Sequence, residues 1–390
     1  MTIPTLVLRD DQPLIIENAE VRLLRMPPGV RWEDATHRVP AIEIILLELT
    51  VNGQLARGFS YTVGVGGTAV RALLTDYCRS ELIGRDARFV VGAWKSFHQH
   101  LHRTGMGAIT TLALATIDVA LWEVRALASG RPLYLEAGGG CQGIPAYSSG
   151  IDLHLSPEEL HNVQKQKHDE GYSWFKIKVG LPRLSDDLAR VAAAREAIGS
   201  DAQLVLDANQ GWDLAEAMRR CRAFEKYDVR WIEEPLAPED IEGHATLRQK
   251  TIIPVAVGES LYEIESFKAY IAAEAVDIIQ ADIVRVGGLT PWFRIADLAA
   301  AWNRPVAPHF FAELSVHALC AVDNGLVLEN VTGGSLFELG VAEKPVTIEK
   351  GIATPNGLPG HGVRFDEAAL QGFEVPLFGY SFTDIRSHKD

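Results

Sequence analysis

The sequence has few of the features that mark metal-thiolate, disulfide-rich or nucleic-acid-binding proteins. Its four cysteines are far apart and form no CxxC pair, so they predict reduced, mostly buried thiols rather than a zinc finger: Cys78, Cys141, Cys221 and Cys320. Acidic residues outnumber basic ones by 51 to 37, which gives a formal net charge of −14. Because phosphate binding needs a basic face, we expect no nucleic-acid partner.

Signals for targeting and membrane insertion are also missing. Residues 1–10 have neither a basic start nor an apolar run of signal-peptide length. No stretch approaches the ~18 uninterrupted apolar residues of a membrane-spanning helix. We therefore expect a cytoplasmic protein without membrane contact. With 390 residues, of which 47% are hydrophobic and 23% charged, the chain has an ordinary globular composition and enough length for a large and a smaller domain.

The first third of the chain indicates a mixture of strands and helices. A strong turn signal, Asn52-Gly53, separates an apolar, β-branched run at 41–49 from a second run at 56–61. Apolar residues then recur at helical spacing over 109–127. These patterns predict an antiparallel meander followed by helices.

Segment 26–38 carries paired prolines and three residues that can be cationic, Arg31, His37 and Arg38. Its composition indicates a loop. Two interpretations stay open at this point: a solvated surface loop, or a loop that closes over an anionic ligand.

From residue 144 onward, short apolar runs alternate with amphipathic stretches. The strand-like runs lie at 144–148, 174–179, 203–207, 229–233, 253–259, 276–282, 305–309 and 326–329. Most are separated by stretches of helix length, for example 187–198, 215–227, 264–273 and 291–302. About eight such repeats predict an α/β fold of the (β/α)8 TIM-barrel type. An open, doubly wound sheet is the alternative.

Ionisable residues occupy the ends of these strands. Lys176 and Lys178 lie two positions apart and share one strand face; alone, they would fit an edge strand that shows its lysines to water. Six other runs, however, close on ionisable residues: Asp207, Glu233, Glu259, Asp282, His309 and Glu329. One strand-end carboxylate usually caps a helix. Because the carboxyl ends of all barrel strands meet at one rim, the whole set predicts a single site.

The residue types at this rim favour metal-assisted proton transfer. Asp207, Glu233 and Glu259 come from three consecutive strands and can converge as hard oxygen ligands, which favours Mg²⁺ over zinc. A cation would also offset their mutual repulsion. Lys176 and Lys178 are expected beside this metal, where the surrounding positive charge would favour a neutral amine that can act as a base.

A second base is expected on the opposite side. Asp282 can hold His309 from the adjacent strand, fixing its tautomer and keeping the ring basic. A carboxylate substrate bound between His309 and the lysines can lose its α-proton to either base. The resulting enediolate would be stabilised by the metal, by Lys176 and by a protonated Glu329 that donates a hydrogen bond.

These residues stand in motifs that resemble those of the enolase superfamily, specifically its mandelate racemase subgroup. The matching motifs are Lys176-x-Lys178, Asp207-Ala-Asn209, Trp231-Ile-Glu233-Glu-Pro, Gly258-Glu259-Ser, Asp282 ahead of Arg285-Val-Gly-Gly288, Pro308-His309-Phe, and Glu329. The resemblance implies a modified (β/α)8 barrel at 136–364 and an α+β capping domain at 1–135, to which residues 365–390 return. By resemblance we also expect a homo-oligomer.

The resemblance also implies roles for individual residues. Lys178 would be the base on one face, with Lys176 contacting the substrate carboxylate, and His309 with Asp282 would be the base or acid on the other. The metal ligands would be Asp207, Glu233 and Glu259. Glu329 would donate a hydrogen bond to the carboxylate, and Asn209 would contact a substrate hydroxyl.

Within the subgroup, the stretches at 58–61, 234–244 and 286–291 look most like sugar-diacid dehydratases of the talarate/galactarate type. This resemblance implies a Mg²⁺-dependent lyase that removes the α-proton, expels the β-hydroxyl and yields a 2-keto-3-deoxy acid. Arg31, His37 or Arg38 would meet the distal carboxylate of such a small-molecule substrate. Two alternatives remain. The same two bases can racemise or epimerise a 2-hydroxy acid, or the barrel can be a non-catalytic binding protein, although no residue of the catalytic pattern is missing.

Overall fold

The N-terminal part of the chain forms an antiparallel sheet packed against helices. Its strands are β1 (Ile16–Met26), β2 (Trp32–Glu33), β3 (Arg38–Val39), β4 (Ile42–Val51) and β5 (Gln54–Thr62). Its helices are α1 (Gly67–Leu73), α2 (Arg79–Leu82), α3 (Val90–Leu101), α4 (Ala108–Ser129) and α5 (Leu133–Glu136). The computed structural model describes residues 12–140 and 143–376, and in it the main sheet has the order β1-β4-β5.

The predicted hairpin is present as β4 and β5. Asn52 and Gly53 both have positive φ, 49° and 70°, as a two-residue turn with the twist of its flanking strands requires. On the other side of β5, the backbone of Gly58 lies directly against α4: a Cβ there would be 2.2 Å from the carbonyl oxygen of Thr116. Glycine at this position therefore allows the close packing of sheet and helix.

The second part of the chain is a closed parallel barrel. Its strands are β6 (Ile144–Ser149), β7 (Trp174–Lys178), β8 (Gln203–Asp207), β9 (Val229–Glu233), β10 (Val255–Val257), β11 (Ile278–Ile279) and β12 (Leu328–Val331). Between β11 and β12 the seventh position is reduced to single parallel bridges, from Ile279 to Val306 and from Val306 to Gly325. Parallel pairing of β12 with β6 closes the ring. The sheet is therefore closed rather than open and doubly wound, and Lys176 and Lys178 lie on an internal strand.

Apolar side chains from seven strand positions fill the barrel interior as a separate layer: Tyr147, Val205, Trp231, Ala256, Ile278, Ala307 and Val327. The helices outside it are α6 (Pro157–Asp169), α7 (Leu184–Ile198), α8 (Leu214–Phe224), α9 (Ile241–Lys250), α10 (Ile264–Ala272), α11 (Leu289–Ala301) and α12 (Ala312–Leu319). This packed layer blocks one end of the barrel, so a ligand can enter only from the rim at the carboxyl ends.

The eighth strand–helix repeat departs from the simple alternation that the sequence predicts. Within the described residues, β12 is followed by a hairpin of β13 (Val346–Glu349) and β14 (Ile352–Pro355), and β14 pairs antiparallel with β6. The next helix, α13 (Glu367–Phe373), lies against β1 of the N-terminal sheet, and Val375 donates its amide to the carbonyl of Leu23. Residues 377–390 lie outside the described part of the chain, so the domain limits at 1–135, 136–364 and 365–390 stay a proposal.

Segment 26–38, which we call the cap loop, lies over the rim of the barrel. The amide of Gly29 donates to the carbonyl of Gly333, which follows β12, at 3.0 Å. The amide of Glu33 donates to the carbonyl of Ile151, which follows β6, and its own carbonyl accepts from the amide of Leu153. The segment therefore lies over the barrel mouth, while the anionic ligand of the second interpretation stays a prediction.

Two compositional expectations can also be compared with the structure. Cys78, Cys221 and Cys320 are buried, while Cys141 lies outside the described residues. Across residues 12–140 and 143–376, no helix combines the length and the apolar character that crossing a bilayer requires.

Candidate active site

The strand register brings the predicted site residues to one rim. Lys178 at the end of β7 pairs with Asp207 of β8, and Asp207 pairs with Glu233 of β9, so the three side chains start at one level of the barrel. Glu259 lies two residues beyond the end of β10, and Asp282 lies three residues beyond the end of β11. Residues separated by more than fifty positions in the sequence thus become neighbours.

Asp207, Glu233 and Glu259 form a compact carboxylate cluster. One oxygen from each lies within 4.8 Å of the other two, and Asp207 and Glu233 are fully buried. Three carboxylates without sulfur or nitrogen ligands are a donor set for a hard divalent cation such as Mg²⁺. Burial and the neighbouring Asp207 raise the pKa of Glu233 to about 7, the mutual effect that a bound cation would offset.

Both lysines bond directly to this cluster. The Lys176 ammonium lies 2.8 Å from Glu233, 3.4 Å from Asp207 and 2.6 Å from Glu329. The Lys178 ammonium lies 2.5 Å from Asp207. The two lysines are almost fully buried, so their charges are balanced by these carboxylates rather than by water.

The surroundings of the two lysines act on their protonation in opposite directions. Burial alone would lower the pKa of Lys176 and of Lys178, but the adjacent carboxylates outweigh burial and leave both pKa values raised. The neutral amine expected from the sequence depends on the positive charge of a bound Mg²⁺ beside the lysines, so it stays a prediction. The direct bonds of the lysines to Asp207 and Glu233 are contacts that the sequence did not indicate.

His309 is held as predicted, and by one residue more. Its Nδ1 lies 2.8 Å from Oδ2 of Asp282, and its Nε2 lies 3.2 Å from Glu259. Burial lowers the pKa of His309, but Glu259 and the hydrogen bond with Asp282 leave it raised. The Tyr61 hydroxyl donates to the same Asp282 oxygen at 2.7 Å. A residue of the capping domain therefore completes the pair. The alternation that places Phe59 and Tyr61 on one face of β5 is only a weak signal for it.

Glu329 accepts hydrogen bonds where the sequence analysis expects it to donate one. Its carboxylate accepts from the Ser149 hydroxyl at 2.8 Å and from the Phe310 amide at 2.7 Å, besides the bond with Lys176. Burial would raise the pKa of Glu329, but Lys176 and His309 hold it well below its usual range. The prediction of a protonated Glu329 is thus corrected, because a buried ammonium stabilises the charged form.

Several residues after the strand ends adopt left-handed backbone conformations. Asn209, Gln210, Glu234 and Phe310 have φ between 39° and 63°. Side-chain-bearing residues rarely adopt this region, and such strain is retained where the surrounding structure fixes it, often at functional sites. Here each of the four follows a site residue by one to three positions, which turns the chain sharply at the rim.

A second group of polar side chains supports the cluster and was not anticipated. Gln280 donates its amide to Glu233 at 2.7 Å. Gln210 donates to Glu234 at 2.8 Å and to Ser260 at 2.7 Å. Burial and the nearby Glu259 raise the pKa of Glu234 to about 8. These contacts depend on strand register, which spacing along the sequence does not reveal.

A cavity of about 450 Å³ opens above the cluster. It is lined by Lys178, Glu259 and His309 at the rim and by the capping domain opposite. Asn209, predicted to contact substrate, lines it, and so does His37 of the cap loop. The two expected bases, Lys178 and His309, and one of the expected metal ligands, Glu259, therefore face one cavity.

Arg31 and Arg38 are placed differently from the expectation. Neither lines the cavity. The guanidinium of Arg31 bonds one Glu33 oxygen at 2.5 Å and that of Arg38 bonds the other at 3.1 Å, and both arginines are largely exposed. The prediction that they meet a distal substrate carboxylate is corrected, because Glu33 between them provides a local partner. Among the described residues, the arginine that lines the cavity is Arg285, which donates to the backbone and side chain of Glu259.

Comparison with known proteins gives a consistent family match over both parts of the chain. Residues 23–135 match the family described as mandelate racemase / muconate lactonizing enzyme, N-terminal domain. Residues 159–369 match the family described as enolase C-terminal domain-like. Together these two matches cover the capping domain and most of the barrel.

Individual relatives agree in sequence and in structure. The 3,6-anhydro-alpha-L-galactonate cycloisomerase of Streptomyces coelicolor is 33% identical over 354 residues, 90% of this chain and 97% of that protein. The L-talarate/galactarate dehydratase of Salmonella typhimurium is 34% identical over 282 residues, 72% of this chain and 71% of its own. The crystal structure of the latter with Mg and L-lyxarohydroxamate superposes with a TM-score of 0.88 at 29% identity, covering 94% of each chain. A racemase from Streptomyces coelicolor with bound magnesium gives a TM-score of 0.89 at 32% identity, covering 93% of this chain and 100% of that one.

Proposed function

The chain belongs to the mandelate racemase / muconate lactonizing enzyme family of the enolase superfamily, and from this we propose that it is a Mg²⁺-dependent hydro-lyase that dehydrates an acid sugar. Relatives named as acid-sugar dehydratases and cycloisomerases, and relatives crystallised with magnesium, support the proposal. The single observation that carries it is the placement of Lys178 and His309, one at each end of the same carboxylate cluster.

The carboxylate cluster fits the metal. Asp207, Glu233 and Glu259 would hold Mg²⁺, because they offer three hard oxygen donors within a small volume and no softer ligand. When bound, Mg²⁺ supplies a positive charge that stabilises negative charge on a substrate carboxylate. All remaining steps belong to side chains of the protein.

We assign Lys178 the removal of the α-proton on one face of the substrate. Its amine lies at the cavity wall and is buried, so a proton taken there is not lost to bulk water. Lys176 does not line the cavity; its ammonium, held by three carboxylates, contributes a fixed positive charge behind the reacting carbon. Glu329 in this proposal fixes that ammonium, a role that replaces the hydrogen-bond donation expected from the sequence.

We assign His309 the opposite face. Its Nδ1 is bonded to Asp282, which leaves Nε2 directed to the cluster and able to carry the exchanged proton. As an imidazolium, His309 donates that proton to the departing β-hydroxyl, and water leaves. The enol that remains ketonises to a 2-keto-3-deoxy acid. For the opposite α-configuration the roles of Lys178 and His309 are exchanged.

The alternative is racemisation or epimerisation of a 2-hydroxy acid by the same two bases. The polar lining of the cavity, with Asn209, Gln210, Ser260 and Tyr262, favours a polyhydroxylated substrate over an apolar one. The test is incubation with Mg²⁺ and a panel of acid sugars, followed by semicarbazide detection of keto acid. Keto-acid formation is expected; solvent-deuterium exchange or inversion without keto acid would favour the epimerase.

The cytoplasmic location, the assembly into a homo-oligomer and the domain limits also remain proposals. Sedimentation analysis of the purified protein would test the oligomeric state, with a monomeric mass contradicting the proposal. Limited proteolysis would test the domain limits, which predict that cleavage between 130 and 143 precedes cleavage within the barrel strands.

A further inference from the structure

We infer that the substrate is an acid sugar with one carboxylate and a neutral, hydroxylated far end, rather than a diacid. This inference rests on the proposed function and specifies the substrate class of the same cavity. It departs from the diacid that the sequence comparison with talarate/galactarate dehydratases leads us to expect. The charges and hydrogen-bonding groups that line the cavity beyond the carboxylate cluster are the basis for this inference.

Every cation that lines the cavity, among the described residues, already has a carboxylate partner. Lys178 is bonded to Asp207 and His309 to Asp282. Arg285 is bonded to Glu259 at 3.3 Å and also donates to its backbone carbonyl. These cations belong to the end of the cavity where the first carboxylate of the substrate reacts.

His37 is the cap-loop residue that remains for a second carboxylate, and it is poorly suited to the task. Its side chain is 73% exposed, so any charge on it is screened by water. Its Nδ1 is 2.7 Å from the Thr36 hydroxyl and 3.8 Å from the Asp34 carboxylate. Arg31 and Arg38, which would have formed a cationic clamp, are bonded to Glu33 outside the cavity.

The same walls carry further acidic groups. Asp34 lines the cavity, and its Oδ1 accepts hydrogen bonds from the amides of Thr36 and His37. Glu239 lines it from the loop after β9 and is exposed. A substrate carboxylate near Asp34, whose side chain is only 13% exposed, would meet a like charge, and the exposed Glu239 adds a weaker repulsion that water screens. Such repulsion discriminates against a second carboxylate in addition to the missing attraction.

Among apolar side chains, the remaining lining also carries hydrogen-bond acceptors that suit hydroxyls. The Oδ1 of Asn209 is buried and, within the described part of the chain, has no hydrogen-bond donor. Asn209 is 8% exposed and faces the cavity, so a substrate hydroxyl can supply the missing donor. A hydroxyl can donate to the oxygens of Asn209, Asp34 and Glu239, whereas a carboxylate can only accept.

The test compares six-carbon aldonates with the aldarates of identical configuration at every stereocentre. With Mg²⁺ present, calorimetry measures the dissociation constant of each acid and the semicarbazide assay measures kcat/KM. We expect the aldonate of the preferred configuration to bind about tenfold more tightly than its diacid partner and to be turned over correspondingly faster. A diacid that binds as tightly as the aldonate or more tightly would overturn the inference.

Two charge-reversal variants test whether the cavity wall causes the preference for the aldonate over the aldarate. Glu239→Lys is expected to bring the dissociation constants of the aldonate and the aldarate closer together, because it strengthens binding of the diacid. The matched control is Glu196→Lys, which makes the same charge change at an exposed position of α7 outside the cavity and is expected to leave the ratio of these constants unchanged. An equal change of the ratio in both variants would overturn the role of the cavity wall. If the aldonate binds more tightly but neither acid yields keto acid, the inference stands and the proposed dehydration fails.

Discussion

Replacing Tyr61 with phenylalanine tests whether the capping domain contributes to proton transfer at His309. The Tyr61 hydroxyl donates to Asp282 Oδ2 at 2.7 Å, and the same oxygen holds His309 Nδ1 at 2.8 Å. Tyr61→Phe removes this donor without changing the shape of the ring, which also packs against Phe310 and Phe311. We therefore expect Asp282 to hold the imidazole less firmly while the fold is retained.

The size of the effect follows from the number of donors that remain. A hydrogen bond to a charged group contributes about 1.5–3 kcal/mol. Asp282 retains His309 and the backbone amides of Val284 and Arg285, which donate to its other oxygen at 2.8 and 3.0 Å. The lower limit therefore applies, and since about 1.4 kcal/mol corresponds to a factor of ten in rate, we expect a loss of about tenfold.

The assay is exchange of the substrate α-proton with deuterium, measured separately for the two α-epimers. Exchange of the epimer whose proton faces His309 should fall about tenfold, whereas exchange of the epimer that faces Lys178 should be unchanged. Tyr270→Phe is the matched control, because its buried hydroxyl donates to the carbonyl of Pro238 at 2.8 Å and it does not line the active-site cavity. An equal loss for both epimers, or no loss for either, would refute the reasoning.

Three further predictions address the bases, the metal and a buried acid. Lys178→Ala and His309→Asn should each abolish exchange for one α-epimer and retain it for the other; retention of both by either variant would contradict the base assignments. Removal of divalent cations with EDTA should abolish exchange and added Mg²⁺ should restore it, so activity that persists in EDTA would argue against the metal site. Burial raises the pKa of Glu313 to about 7, whereas in the unfolded chain its pKa is near 4.5. Between these pH values the folded state therefore holds a proton that the unfolded chain has released. The free energy of unfolding should then fall as pH rises, by at most ~1.4 kcal/mol per pH unit. Glu313→Gln keeps an acceptor for the Leu336 amide and should flatten this dependence in denaturant titrations at pH 5 and 8; an unchanged slope would show that another group titrates.

The strand ends were predictable because the parallel barrel has a simple geometric rule. Each strand advances in one direction, so the residues that close the runs must meet at one rim, and Asp207, Glu233, Glu259 and His309 do meet there. The hairpin at Asn52 was predictable for a similar reason, since its turn has a specific backbone requirement. The periodicity of apolar residues and the backbone preferences of turn residues are local, so they can be recognised without knowledge of the tertiary contacts.

The remaining features depend on side-chain contacts that the sequence does not reveal. Arg31 and Arg38 have the residue types of an anion-binding clamp, but both pair with Glu33 within the cap loop. Tyr61 reaches Asp282 across 221 residues, through the packing of the capping domain on the barrel. The protonation of Glu329 likewise depends on the exact position of the Lys176 ammonium, 2.6 Å away. Protonation and ion pairing depend on the distances between charged side chains, and the spacing of residues along the sequence does not give these distances.

The cap loop is attached to the barrel through main-chain atoms and through one aromatic side chain. The main-chain contacts are made by backbone amides and carbonyls of Gly29, Glu33, Ile151 and Gly333. The Trp32 indole donates to the carbonyl of Thr332 at 3.0 Å and packs edge-on against Phe310. Cavity-lining side chains of the loop other than Trp32, such as His37, can consequently be exchanged without removing these attachments. The chemistry at the rim and the choice of substrate can therefore change independently, because they depend on side chains from separate parts of the chain.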